Sequence, residues 1–481
     1  MNRFLNSENF PTFARIGRAL PRGPGYVGRG IAHLFKKTYK YTLALLIVLA
    51  VVHGVATFIT GRRLEARINV LKARGVPVSM AELGLPKVPD EENAAVIYAK
   101  AFKAIEKLQT GGDYSKLNSF LKPNNRQGNP ELWTDVRRML AENRGAFPLV
   151  EEALSRPKCQ FPVNWEAGFD ADFPHSAPLR TLTRLLAADA IVQARDGRMD
   201  RAIHSIELCL QMGATAPDEA TLVGSYVQIA MIKAAAIALR DMLMHGNISE
   251  AQARRLYQAF GSIDTSPGFL RAMQGDGALG IWIFDYVRKH PGALPSLTSG
   301  HGDSSDSFWW GLIGYLWRPF FYADELYHLD YMTAGVERSR LTFREAELRR
   351  GDAGNELPFP RWAIISNIFA PVFHHARRTA DATIAETAGT QIVLALRVYK
   401  NRHGSYPASL DDLRAKLGWE IPKDIFSGNE FVYKRQGKGF LFYSIGENLK
   451  DDGGRVPPAK PWETMTAEER ARDDIVWQMD R

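Results

Sequence analysis

Residues 390–413 read Thr390-Gln-Ile-Val-Leu-Ala-Leu-Arg-Val-Tyr-Lys-Asn-Arg-His-Gly-Ser-Tyr-Pro-Ala-Ser-Leu-Asp-Asp-Leu413, and they are followed by Ile425-Phe-Ser-Gly-Asn-Glu-Phe-Val-Tyr433 and Gly439-Phe-Leu-Phe-Tyr-Ser-Ile-Gly446. Ala382, Ala385, Ile392, Leu396 and Tyr399 place a small-to-apolar stripe on one long helix. Gly404 ends that helix, Tyr406-Pro407 turns the chain, and Ser409 caps a short helix carrying Leu410 and Leu413. Phe431 to Lys434 and Phe440 to Ser444 are rich in strand formers, and Gln436-Gly-Lys-Gly439 between them is a hairpin signal. Asp474-Ile-Val-Trp477 offers a last strand. The order predicts a helix laid on a small antiparallel sheet.

Working outward, the chain of 481 residues is long enough for two or three domains, and its 45% apolar share is that of a folded protein. The formal net charge of +8 is concentrated at one end. Arg3, Arg15, Arg18, Arg22, Arg29, Lys36, Lys37 and Lys40 stand against Glu8 alone, so the remainder is nearly neutral. No basic nucleic-acid face, and no nucleic-acid partner, is implied. Cys159 and Cys209 make neither a disulfide framework nor a metal spacing. Two buried free thiols are expected, with a single bridge as the alternative in an oxidising compartment.

Residues 1–40 read as a basic, mostly disordered cytoplasmic tail. Residues 41–60 carry no formal charge, and a helix of that length spans about 30 Å, the thickness of a bilayer core. The basic stretch before it is too long for a signal peptide, and no A-x-A site follows, so a retained anchor is expected. His53 inside this run reads as a tolerated polar residue. The residues flanking the run on either side tie in Lys and Arg, and Arg3, Arg15 and Arg18 tip the balance toward an N-terminus in the cytoplasm. The large C-terminal part is then expected outside the cytoplasm, with the chain held in the inner membrane through residues 41–60.

Residues 61–89 read as a stalk that turns into a linker through Pro77, Pro86 and Pro89. Residues 90–375 read as an all-α domain. Asp90 is its expected first N-cap, and Leu179 to Phe260 is its clearest helical block. There Asp200 is expected to cap one helix, a second runs from about Asp218 to His245, and Ser249 with Gln252 makes a capping box. Gly197-x-x-Asp200-x-Ala202 and Gly246-x-x-Ser249-x-Ala251 both join antiparallel helices. The pair resembles tetratricopeptide-type hairpins, without that family's spacing or its Trp, Tyr and Pro positions. Phe308 to Tyr322 is the most aromatic stretch and is too short to span a bilayer. A buried helix start is expected there, with a membrane-interface position as the alternative, and the same two readings hold for Trp362 to Phe373. Asp324 to Arg350 reads as one charged amphipathic helix.

Chemical motifs are sparse. The chain has no G-x-S-x-G or P-loop sequence. His301-Gly-Asp-Ser-Ser-Asp306 lacks the spacing of an EF-hand or of H-E-x-x-H and reads as a solvated loop. Adjacent His374 and His375 would point about 100° apart on a helix and cannot easily share an ion. Glu151-Glu152 and Asp411-Asp412 read as solvated helix ends. No catalytic or cofactor-binding residue is therefore expected, and the chain is expected not to be an enzyme. A hydrolase assembled from scattered His, Asp and Ser residues is the alternative.

One resemblance is carried by ordered landmarks in residues 376–481. These are Ala395-Leu-Arg-Val-Tyr-Lys-x-x-x-Gly404-x-Tyr406-Pro407-x-x-Leu410, Pro422-x-Asp424-x-x-x-Gly428-x-x-x-x-Tyr433, Phe442-Tyr-Ser-x-Gly446 and Asp451-x-Gly453. This part resembles the globular part of the type II secretion major pseudopilin and covers about one sixth of the chain. In that family the loop after the Ser-x-Gly strand binds calcium. The resemblance therefore implies a Ca²⁺ site at Asn448, Asp451 and Asp452, with Asp474 nearby, and oxygen-only donors suit that ion. A pseudopilin's membrane helix runs straight into this module, whereas here the all-α region intervenes. As a whole the chain resembles a class of uncharacterised bacterial envelope proteins: one anchor, a Val88-Pro-Asp-Glu-Glu-Asn-Ala94 lead-in, an all-α middle and a pilin-like end.

The expected fold is thus mainly α: a transmembrane helix, an all-α helical-hairpin middle, and a small pilin-like α+β domain at the C-terminus. The expected function is that of a single-pass, non-enzymatic envelope protein that binds an unknown envelope protein partner in a groove between hairpins. An accessory role in a type II secretion or pilus-like system is the alternative.

Overall fold

The computed structural model describes residues 27–215, 219–294, 308–353, 360–456, 466 and 474–479. The chain divides into two compact units, Met1–Arg62 and Arg63–Arg481. In the first, the helix Val27–Ala73 starts within the basic segment, so the expected disordered tail gives way to helix from Val27 onward. Its apolar run keeps Leu45, Leu46, Val51, Val55 and Phe58 exposed. The part Tyr39–Ala73 is long and apolar enough to cross a membrane, and none of its most apolar window is buried. It is compatible with a membrane anchor.

The second unit is mainly helical. Helices Ser176–Arg195, Met199–Ala214 and Leu222–His245 pack against one another at its centre. Ala234, Ala235, Ala236 and Ala238 let neighbouring backbones approach the last of these closely, and Leu239 and Met242 fill the spaces between. Thr221 caps that helix by accepting from the Gly224 N–H, and residues 216–218 lie outside the described part. The capping box of Ser249 and Gln252 forms as read from the sequence. Asp200 does not cap: the helix starts at Met199, and Asp200 accepts instead from Gln252 Nε2 at 2.6 Å. The Gln252 contact ties two neighbouring helices, which a local cap would not do.

The expected single helix from Asp324 to Arg350 is two helices, Phe308–Ser339 and Phe343–Ala353. The break follows from a local cap. The Glu345 carboxylate accepts from the Thr342 N–H at 3.0 Å, and the Thr342 hydroxyl accepts from the Glu345 N–H at 3.3 Å, a reciprocal pair that starts a new helix. The charges of the first helix are not on a solvated face. Asp324, Glu325 and His328 are buried. Asp324 accepts from the Ile365 and Ser366 N–H groups and so caps helix Ile364–His403 from outside. Burial pushes its carboxyl up to about 6. Glu325 pairs with Arg288, and burial still pushes it up to about 7.

The aromatic N-terminal half of helix Phe308–Ser339 is the main departure from expectation. Trp309, Ile313, Leu316 and Trp317 are exposed, and in 309–320 only Gly314 is buried, against Pro291. A buried helix start is therefore not what forms. The second apolar run differs, because Ala363, Ile365 and Ser366 are buried, while the side chains of residues 370–374 lie outside the described part.

Helix Ile364–His403 carries the sheet. Gly404, at φ 75°, ends it as expected, and Ser409 caps the short helix Leu410–Leu417. Strands β1 (Val432–Gln436), β2 (Gly439–Ser444) and β3 (Ile475–Met479) form one antiparallel sheet in the order β1-β2-β3. Phe442 pairs with Trp477 across β2 and β3, and their rings stack at 4.9 Å. Gly389 has no side chain where the Trp477 ring lies, so ring and helix meet directly. A single core holds Leu186, Ile206, Leu239, Leu396, Phe442 and Trp477 together. The expected boundary between residues 375 and 376 falls inside a continuous helix, and the sheet shares its core with the helices of the middle region.

Candidate functional site

The largest cleft among those described lies between the chain leading into helix Ala94–Ala104 and the segment 160–175. Asn93 builds one wall. It, and not the expected Asp90, caps the helix by accepting from the Ala95 N–H at 3.1 Å. Its amide also accepts from the Gln160 N–H at 2.9 Å and donates to the Gln160 carbonyl at 2.8 Å. Asp90 makes no comparable link across the chain, which is the physical reason Asn93 takes the cap. Gln160 answers in kind, accepting from the Val88 N–H at 2.9 Å and donating to the Pro86 carbonyl at 3.2 Å. A parallel bridge between Asn93 and Lys158 closes the joint. Two irregular segments are thereby held as firmly as strands, because their backbone groups are satisfied by each other's side chains.

The cleft encloses about 710 Å³ and is lined mainly by apolar groups, among them Val96, Phe102, Phe161, Val163 and Trp165. His175 forms part of its floor. The imidazole is buried, stacks on Phe161 at 4.2 Å, and has Nε2 2.5 Å from the Glu219 carboxylate without hydrogen-bond alignment. Cys159, next to Gln160 in the chain, is a free thiol, as is buried Cys209. Burial, and then the charge of Glu219, push the Cys159 thiol up to about 12. A thiol that holds its proton is a poor nucleophile. The arrangement is suited to receiving an apolar segment, with Lys87 and Asp90 also in its lining.

The loop after β2 holds the residues to which calcium was assigned. Asn448 Nδ2 donates to Asp452 at 2.9 Å, and the Asn448 side-chain oxygen accepts from the Lys450 N–H at 2.8 Å. Asp451 is engaged elsewhere, accepting from the Tyr443 hydroxyl and the Gly453 N–H, both at 2.8 Å. The Tyr443 hydrogen bond holds the Asp451 carboxyl below its ordinary value. Asp474 accepts from the Gly454 N–H at 2.8 Å, while its other oxygen is buried without a hydrogen-bond partner. Burial, and to a lesser degree the charge of Asp452, raise its carboxyl. The loop thus brings Asn448, Asp452 and Asp474 together and turns Asp451 toward Tyr443. Among the described residues, no group of three or more His, Cys, Asp or Glu is placed to hold a metal.

No family model, curated protein or solved structure matches this chain.

His375 is exposed, the side chain of His374 lies outside the described part, and so does the loop His301 to Asp306. The cleft itself was not foreseen. Its only local signal is Asn93 in the Val88–Ala94 lead-in, since Gln160, His175 and Glu219 reach it from distant parts of the chain.

Proposed function

We propose that this is a single-pass envelope protein, anchored in the inner membrane through residues 41–60, whose helical body binds a partner protein and performs no turnover. The N-terminus lies in the cytoplasm and the body outside it. The observation that supports the reading is the cleft between residues 84–102 and 160–175, wide, mainly apolar and braced by Asn93 and Gln160. Such a cleft suits an apolar peptide segment of an envelope protein, with aromatic walls supplying contact area. Burial holds the Cys159 thiol protonated, so that side chain is not an activated nucleophile in the cleft.

The test is a photo-crosslinking residue placed at Val96 in the full chain in native membranes. A discrete crosslinked partner is expected, absent when the same residue stands at Leu348. No crosslink at Val96, from protein that still fractionates with the membrane, would end the partner-binding reading. A reporter fused after Arg481 and active on one side of the membrane checks the orientation.

A second reading makes the C-terminal part a pilin-like module serving a type II secretion or pilus-like system. Its support is the long helix packed on an antiparallel sheet through Gly389 and Trp477. Calcium belongs to this reading. Asn448, Asp452 and Asp474 would hold the ion, the unpartnered buried oxygen of Asp474 fits such a role, and the ion would supply charge that closes the loop. A calcium-dependent rise in melting temperature that is lost in Asp474→Asn supports it, and identical melting with calcium and with chelator removes it.

A further inference from the structure

The segment 309–320 presents a physical contradiction. A helix that is apolar on every side belongs in a core or in a membrane. This one carries Trp309, Leu312, Ile313, Tyr315, Leu316, Trp317 and Phe320, and all seven are exposed, Trp309 at 67% and Leu316 at 53%. No acid occurs between Phe308 and Ala323, and Arg318 is the one basic residue there. Arg361, also exposed, precedes Trp362, whose ring lies 6.4 Å from that of Phe320. Trp and Tyr interleaved with Arg are the side chains that favour the layer between lipid headgroups and acyl chains.

The second unit also fixes the end at which this segment lies. The chain enters that unit at Arg63 as a helix, and residues 64–71 of it pack beside helix Phe308–Ser339. Arg67 pairs with Asp330 at 2.8 Å. Further along, Arg74 shares a cavity of about 270 Å³ with Glu337 and Arg340. Contacts that ascend together mean that the two helices run in the same direction. The N-terminal half of helix Phe308–Ser339 therefore projects from the end of the second unit at which Arg63 enters it. At 1.5 Å per residue the segment is roughly 20 Å long, too short to cross a bilayer core of about 30 Å.

We infer that residues 309–320 are a second, non-spanning membrane contact, an apolar peg seated in the interfacial layer of the phospholipid bilayer that residues 41–60 cross. The inference rests on the anchor reading above. The peg and the span give the body two points of attachment, and two attachments restrict how the body can turn over the membrane. Arg318 and Arg361 place positive charge where anionic headgroups lie, which favours a phospholipid surface over a detergent-like apolar phase alone.

The experiment uses the full chain reconstituted in phosphatidylethanolamine–phosphatidylglycerol vesicles that contain a nitroxide-bearing lipid. An environment-sensitive fluorescent residue is placed singly at Ile313, at Leu46 in the apolar run, and at Leu348 on another exposed surface. Emission at Ile313 and Leu46 is expected to fall roughly twofold against vesicles lacking nitroxide, with no change at Leu348. A probe at Leu316 repeats the measurement where the first replacement lowers the yield of folded protein. Quenching at Leu46 with none at Ile313 or Leu316 overturns the peg and leaves the anchor standing. Quenching at Ile313 with none at Leu46 removes the span and upholds the lipid contact. Quenching at neither removes both. A blue-shifted Ile313 probe that lipid nitroxide does not quench means that protein covers the segment, and it too overturns the inference.

Discussion

Helix Leu222–His245 and segment 309–320 are both strongly apolar, and the chain treats them in opposite ways. The first is long and apolar enough to cross a membrane, yet two thirds of its most apolar window is buried inside the body. The second is shorter, richer in aromatic rings and almost wholly exposed. Hydrophobicity is therefore not what separates them. The buried helix carries small residues at 234–236 and 238, so other helices can reach its backbone, and it meets helices Ser176–Arg195 and Met199–Ala214 at close range. The exposed segment carries bulky rings on every side, and Gly314 is its one buried residue, against Pro291. Access to the backbone, set by small residues, decides which apolar helix becomes core.

That contrast can be broken by substitution. Leu239→Ala, in the buried helix, should lower stability by about 2–5 kcal/mol, because a cavity adds to the lost transfer energy. Denaturant unfolding in detergent measures it, and a loss under about 1 kcal/mol would mean that the helix is less well packed than its burial implies. A second test falls on the joint between the exposed and buried halves of helix Phe308–Ser339. Glu325 has an ordinary carboxylate value near 4.5 when unfolded and is pushed up to about 7 by burial in the fold. The folded state thus keeps a proton that the unfolded chain releases. Its contribution is fully present below the unfolded value and is lost as the pH rises through about 7. Stability should therefore decline between roughly pH 4.5 and pH 7 by at most a few kcal/mol, and Glu325→Gln should flatten that slope. Equal slopes for the two proteins would show that Glu325 stays ionised beside Arg288.

Smaller effects sharpen the comparison. Ser249→Ala removes a capping box that a purely local rule placed correctly, and it should cost about 1 kcal/mol in the same unfolding experiment. Ile313→Ala should change stability by no more than about 0.5 kcal/mol, since its side chain is exposed in the folded protein as in the unfolded chain. A loss comparable to that of Leu239→Ala would place Ile313 in a packed interface.

What could be read from the sequence follows the same division between local and distant causes. Gly404, Ser409, Ser249 with Gln252, and the hairpin at residues 436–439 act through their immediate neighbours, and all form as read. Asp90 and Asp200 have the right chemistry for caps but lose to contacts made across the chain, Asn93 with Gln160 in one case and Asp200 with Gln252 in the other. The helix break before Phe343 has no Gly or Pro to announce it, though Thr342 and Glu345 held the signal. The cleft is lined from three separate stretches, 84–102, 160–165 and 174–175, with Glu219 beside His175 from a fourth. Spacing along the chain gives no hint of that convergence. Exposure of the aromatic segment was equally hidden, because composition states what a helix prefers and not whether neighbours supply it.

The unbroken helix Ile364–His403 has a consequence for the history of the chain. A genetic exchange joining this C-terminal sheet to another protein at residues 375–376 would cut the helix within its own hydrogen-bond ladder, and would separate Trp477 from the core that holds Leu239. Such a recombinant would inherit two incomplete cores. A recombinant that keeps its core must therefore carry the sheet together with helix Ile364–His403 and the helices packed on it.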